Sequence, residues 1–217
     1  MLPKDFVSAY FPFALETQRK TGISAIAILA QAALESGWGE RAPGNMFFGV
    51  KDSDGHNGNE QLVRTVEYLS RPDAKFPEVI SVTKVGPRRW KYIVKDYFRK
   101  YDSPEGSFTH HAELFLKAPR YAKALSVGAN PYAFFREIAA AGYATAPDYF
   151  KVLTAVARMI EKFLPSTPPA AAPAHTGLES LHAEQGEEED IPVIEEEMLR
   201  LWVPVRRKRQ RTQKTGN

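Results

Sequence analysis

The chain contains no cysteine among its 217 residues, which rules out disulfide staples and any thiolate-held metal. It also lacks an uninterrupted apolar run near the ~18 residues that a membrane-spanning helix requires. The stretch 6–15 is apolar only in patches, because Asp5, Pro12 and Glu16 interrupt it and no small-residue cleavage site follows. A secretory signal is therefore not expected, and a protein made in the cytoplasm would reach an outside target by another route. No Gly-x-Ser-x-Gly elbow, no internal repeat and no recognised nucleic-acid motif occurs. His110 and His111 are adjacent, so on a helix their side chains point about 100° apart rather than toward one metal. Neither a metal nor another cofactor is expected.

What is present suits one packed domain with an appendage: 43% apolar and 12% aromatic residues. Residues 1–164 carry 22 Lys and Arg against 17 Asp and Glu, a net of +5, which favours an anionic polymer as partner. From residue 165 a Pro/Ala-rich stretch runs into an acidic patch with Glu184, Glu187, Glu188, Glu189 and Asp190, a linker over 165–190. In 191–217, Ile194, Met198, Leu201, Trp202 and Val205 recur at helical spacing beside Arg206, Arg207, Lys208 and Arg209. Such an amphipathic, basic tail is suited to weak membrane or lipopolysaccharide contact, although Glu195, Glu196 and Glu197 oppose it.

Apolar periodicity and caps predict helices over 3–20, with Gly22 as a left-handed stop, and over 24–36. Segments 61–69, 79–84 and 90–98 are rich in Val, Ile, Thr, Tyr and Trp and are broken by prolines, which predicts three antiparallel strands. Helices resume behind Ser103-Pro104, over 130–141, and from Pro147 to about 164. The pattern is α+β: mostly helical, with a small antiparallel β-lobe inserted in the middle.

One helix carries chemistry. Between residues 24 and 34 the polar side chains are Ser24 and Gln31 alone, so the helix is largely buried. Glu35 follows on its last turn, where burial and the negative end of the helix dipole both disfavour the anion. That environment keeps a carboxyl protonated and able to donate its proton. Gly37-Trp38-Gly39 then supplies a flexible turn holding an indole, which suits the wall of a cleft.

Ala30-Gln31-Ala32-Ala33-Leu34-Glu35-Ser36-Gly37-Trp38-Gly39, followed by Gly44-Asn45-Met46-Phe47-Phe48-Gly49-Val50-Lys51, resembles the N-acetylglucosaminidases of glycoside hydrolase family 73. Thr65-Val66-Glu67-Tyr68, Phe98-Arg99-Lys100-Tyr101-Asp102-Ser103, Ser107-Phe108-Thr109-His110-His111-Ala112 and Gly142-Tyr143-Ala144-Thr145 match in the family's order. The resemblance spans about 2–164. It implies a lysozyme-like fold, a catalytic domain over 1–164 expected to act as a monomer, and peptidoglycan glycan strands as substrate, cut at the β-1,4 bond after N-acetylglucosamine. Glu35 would be the general acid. Glu67 would activate water or stabilise the positive transition state, and Tyr143 would bind the acetamido group or stabilise charge. Asn45 and Tyr149 join Trp38, Phe48 and Tyr68 as expected substrate-binding residues. His111 is expected to be structural. Met46 and Ala146 depart from the family pattern, where asparagine and aspartate are usual.

Two other readings stay open. Glu-Ser after an apolar helix also resembles the acid motif of lytic transglycosylases and muramidases. A wall-binding or assembly module with an inactive site is the alternative outside enzymology.

Overall fold

A computed structural model describes residues 1–144 and 146–165. The acidic linker and amphipathic tail expected over 165–190 and 191–217 therefore lie, apart from Pro165, outside the described residues. Helices α1 (Pro3–Thr21) and α2 (Ala25–Ser36) come first, followed by a 3-10 turn at Pro43–Asn45. Strands β1 (Glu60–Leu69), β2 (Glu78–Gly86) and β3 (Arg89–Arg99) form the middle of the chain. Helices α3 (Pro104–Lys117), α4 (Ala122–Ser126), α5 (Pro131–Ala140) and α6 (Tyr149–Lys162) complete it. No helix among the described residues is long and apolar enough to cross a membrane.

Helix α2 is the hub. Ala27, Leu29, Ala30 and Ala32 are fully buried, so the helix presents apolar surface on most sides and is enclosed by α1, α3, α5 and α6. Helix α6 closes one flank with Leu153, Val156, Ala157 and Ile160, a three-and-four spacing that lines one face. Edge-to-face rings knit the other flank: Phe47 lies 4.9 Å from Tyr10 and 5.0 Å from Phe108 between ring centres. Ser103 caps α3 by accepting from the Gly106 amide at 3.2 Å, and Gly22 ends α1 with φ 75°.

The strands form an antiparallel sheet in the order β1-β3-β2. Its inner face carries Thr65, Tyr92, Val94 and Phe98, all buried. The Tyr92 hydroxyl donates to the Arg71 carbonyl at 2.8 Å and accepts from the Ala74 amide, pinning the β1–β2 connection. The sheet packs chiefly on itself and stands as an arm beside the helices. Its root is laced to the segment before it. Arg99 N–H donates to the Val50 carbonyl, Lys100 to Asn59 and Tyr101 to Gly44, at 2.7–2.8 Å.

Two details differ from the sequence reading. The last helix begins at Tyr149 rather than at Pro147, which sits in the turn before it. A 3-10 turn at Pro119–Tyr121 and the five-residue α4 fill a stretch the periodicity left without an element. Elements that short hold too few residues for an apolar repeat to register.

Candidate active site

Glu35 sits on the final turn of α2, one helical turn beyond Gln31 and on the same side of the helix. The chain leaves the helix through Gly37 at φ 61° and Trp38 at φ 55°, both left-handed. Ser36 secures this exit: its hydroxyl donates to the Ala32 carbonyl at 2.6 Å and accepts from the Gly39 amide at 2.8 Å. The Glu35 side chain is thereby held half-buried, and burial pushes its carboxyl up to about 7, against the opposing pull of the Arg41 guanidinium. A carboxyl of that affinity still holds its proton near neutral pH, as a general acid must.

Phenols surround it. The Tyr149 hydroxyl accepts from Gln31 Nε2 at 3.2 Å, and its ring lies 5.6 Å from that of Tyr143. Burial and the nearby Glu35 charge both raise the pKa of the two tyrosines, so each keeps its proton. The Tyr143 hydroxyl lies 3.3 Å from His111 Nε2, and the His111 ring stacks on Phe48 at 3.7 Å with planes 6° apart. Enclosure lowers His111 to about 3, so the imidazole is neutral and positions the phenol. Gln31, Glu35, Phe48, His111, Tyr143 and Tyr149 thus form one contiguous cluster drawn from α2, α3, α6 and two connecting segments.

Glu67 belongs to a different cluster. It lies on the inner face of β1, its side chain 14% exposed, with its carboxylate 2.8 Å from Lys51 Nζ. The same ammonium reaches Asp96 at 2.6 Å and rests 4.3 Å above the Phe98 ring. The charge that opposes burial at Glu35 is that of Arg41.

The remaining expected residues divide. Phe48 is half-buried in the Glu35 cluster, while Phe47 is in the core. Trp38 is half-buried with its indole edge-on to Phe6 at 5.5 Å. Asn45 is a stitch: its Nδ2 donates to the Tyr101 carbonyl at 2.9 Å, holding the segment before the arm to the segment after it. Tyr68 is 44% exposed and lies on the opposite face of the sheet from Glu67, beneath the Arg89 guanidinium. Neighbouring strand positions point to opposite faces, so these two residues cannot line the same surface.

Met46 is buried and fills apolar space where an asparagine would need partners. Ala146 precedes a helix that starts without a side-chain cap. Among the described residues no three His, Asp or Glu side chains converge on a metal-sized space. A polar cavity of about 770 Å³ lies beyond α3, lined by Lys20, Arg99, Tyr101, Glu105 and His110, and contains none of the Glu35 cluster.

A family model, the glucosaminidases described as mannosyl-glycoprotein endo-beta-N-acetylglucosaminidase, matches residues 11–162. This chain belongs to the glucosaminidase family. The glucosaminidase match contains every residue of the Glu35 cluster. The chain is 30% identical over 159 residues to the peptidoglycan hydrolase FlgJ of Pseudomonas aeruginosa, covering 73% of this chain and 37% of that protein. It is 31% identical over 170 residues to FlgJ of Vibrio cholerae, covering 75% and 46%. The chain thus matches less than half the length of these curated relatives. The glycoside hydrolase domain of Salmonella typhimurium FlgJ superposes with a TM-score of 0.56 at 28% identity, covering 75% of this chain and 90% of that one. The lysozyme-like α+β architecture of this glucosaminidase follows from that superposition and from the sheet set among helices.

Sequence reasoning passed over Gln31, Arg41 and Lys51 as site residues. Gln31 had a signal, being a polar side chain four positions before Glu35 in an otherwise apolar helix. Lys51 had none, because its partners Glu67 and Asp96 lie 16 and 45 positions away.

Proposed function

We propose that this glucosaminidase hydrolyses the β-1,4 bond after N-acetylglucosamine within peptidoglycan strands, with Glu35 donating a proton to the leaving oxygen. The observation that carries the reading is the Glu35 carboxyl, poised at about 7 by burial with two neutral phenols, Tyr143 and Tyr149, close enough to feel its charge. Two FlgJ relatives named as peptidoglycan hydrolases support the substrate. The net charge of residues 1–164 supports it too, since the glycan bears anionic stems. Tyr143, held by neutral His111, orients the sugar near Glu35, and Phe48 and Trp38 offer aromatic surface. The site of action is the cell wall.

Once the leaving oxygen takes the proton, positive charge develops at the anomeric carbon. Two sources of compensation fit. Glu67 supplies it if the arm moves against the helices. The substrate's own 2-acetamido oxygen supplies it otherwise, and this second scheme is favoured by the ion pair that already engages Glu67 with Lys51.

The test is digestion of purified sacculi, with mass analysis of the products. Wild type is expected to release fragments with N-acetylglucosamine at the new reducing end, and Glu35→Gln to lose about 10³-fold in rate. A muramic acid reducing end or an anhydro product would replace this reading with a muramidase or a lytic transglycosylase. Wall binding without cleavage, identical in wild type and E35Q, would leave a binding module. Glu67→Gln separates the two schemes: a loss under about tenfold selects the acetamido route, and a loss rivalling that of E35Q selects the carboxylate.

A further inference from the structure

Arg41 has a position the acid chemistry leaves unexplained. Its amide donates to the Ser36 carbonyl at 2.8 Å, so the residue is fixed to the exit turn of α2. Its guanidinium lies flat against Gly37, where a Cβ would come within 2.8 Å of Nη1 and 2.9 Å of Cζ and Nη2. It is exposed, and no carboxylate among the described residues closes an ion pair with it. The adjacent Glu40 is occupied by the N-terminal ammonium at 2.8 Å. Lys51 pairs with Glu67 and Asp96, Arg99 with Asp52 and Asp54, and Lys20 with Glu105.

We propose that Arg41 anchors a carboxylate of the peptide stem on the muramyl sugar beside the scissile bond, and so selects stem-bearing strands over neutral glycans. The inference rests on the peptidoglycan reading above and names what that site recognises. A guanidinium presents a planar fork of donors that matches a carboxylate in pairs, and it does so best with no protein carboxylate already in place. In a strand cut after N-acetylglucosamine, the muramyl sugar is the leaving group. Its bridging oxygen receives the Glu35 proton, and its stem is the nearest source of negative charge.

The arrangement also couples docking to the acid. In the free protein the Arg41 charge opposes the effect of burial on Glu35, favouring the anion, while Tyr143 and Tyr149 stay neutral beside it. A carboxylate seated on the guanidinium offsets that field, so a stem-bearing strand restores the proton its own cleavage needs.

The experiment compares soluble peptidoglycan strands with the same strands after carbodiimide amidation of their stem carboxylates. The full chain is assayed at each variant's own pH optimum. Wild type is expected to lose about tenfold in kcat/KM on amidation, carried mainly by KM, as for loss of one charge-assisted pair. Arg41→Gln is expected to cut native strands about tenfold less efficiently and to be insensitive to amidation. Arg64→Gln, which removes an equal charge from the sheet's outward face, is expected to keep the wild-type sensitivity. Equal losses on amidation in wild type and R41Q would overturn the proposal, as would a wild type indifferent to amidation. Failure of the underlying reading would show differently, as wild type and E35Q indistinguishable on native strands.

Discussion

Glu35 owes its proton affinity to desolvation, and that affinity has a thermodynamic consequence for folding. Its folded pKa of about 7 lies above the 4.5 of an ordinary glutamate. The native state therefore binds the proton more tightly than the unfolded chain does. The associated stability is complete below about pH 4.5 and is lost as pH rises through 7. Glu35→Gln, neutral at every pH, is expected to match wild type near pH 4.5 and to exceed it by about 2 kcal/mol at pH 9. Denaturant melts at the two pH values check this, and a gap of the same size at both would refute it. The same reasoning gives the activity an alkaline limb near pH 7, which R41Q moves upward by removing the charge that favours the anion. Glu35 was legible from its helix because burial of α2 and the position of its end are both local properties. Tyr149, which accepts from Gln31 across 118 positions of sequence, was reachable only through the family resemblance.

Among elements, the arm shows how far a strand pattern carries. Three antiparallel strands were legible from β-branched and aromatic runs between prolines, but their order, with β3 central, depends on pairings that no local signal encodes. Tyr68 is instructive because the information was present: strict alternation along β1 assigns it to the face opposite Glu67, and only the motif suggested grouping them. Lys51 is the ion that steadies the inner face. Lys51→Met leaves Glu67 and Asp96 facing each other without a counter-charge in a partly buried setting. The expected cost is about 1–2 kcal/mol at pH 8, between the values for exposed and buried pairs. Thermal melts at pH 8 check this, and an unchanged Tm would show that the Lys51 ammonium adds nothing to the arm.

For the molecule as a whole, stability is unevenly distributed. Helix α2 is enclosed by other helices, whereas β2 is an edge strand with Val79, Ile80, Val82 and Val85 all more than a third exposed. Regions with few buried contacts open at lower free energy than the global transition. Hydrogen exchange is expected to protect α2 amides at least about 100-fold more than those of β2, and equal protection would mean the arm and the helices unfold as one unit.

The lacing at the root of the arm decides how such an opening can look. The chain entering the arm and the chain leaving it run side by side, joined through Val50, Asn59 and Gly44 and by the Asn45 side chain to the Tyr101 carbonyl. Mechanically this is a paddle on one strap, not a loop slung between two posts. Twisting at the strap carries all three strands together, so a glycan laid against the arm would be met by a single stiff blade.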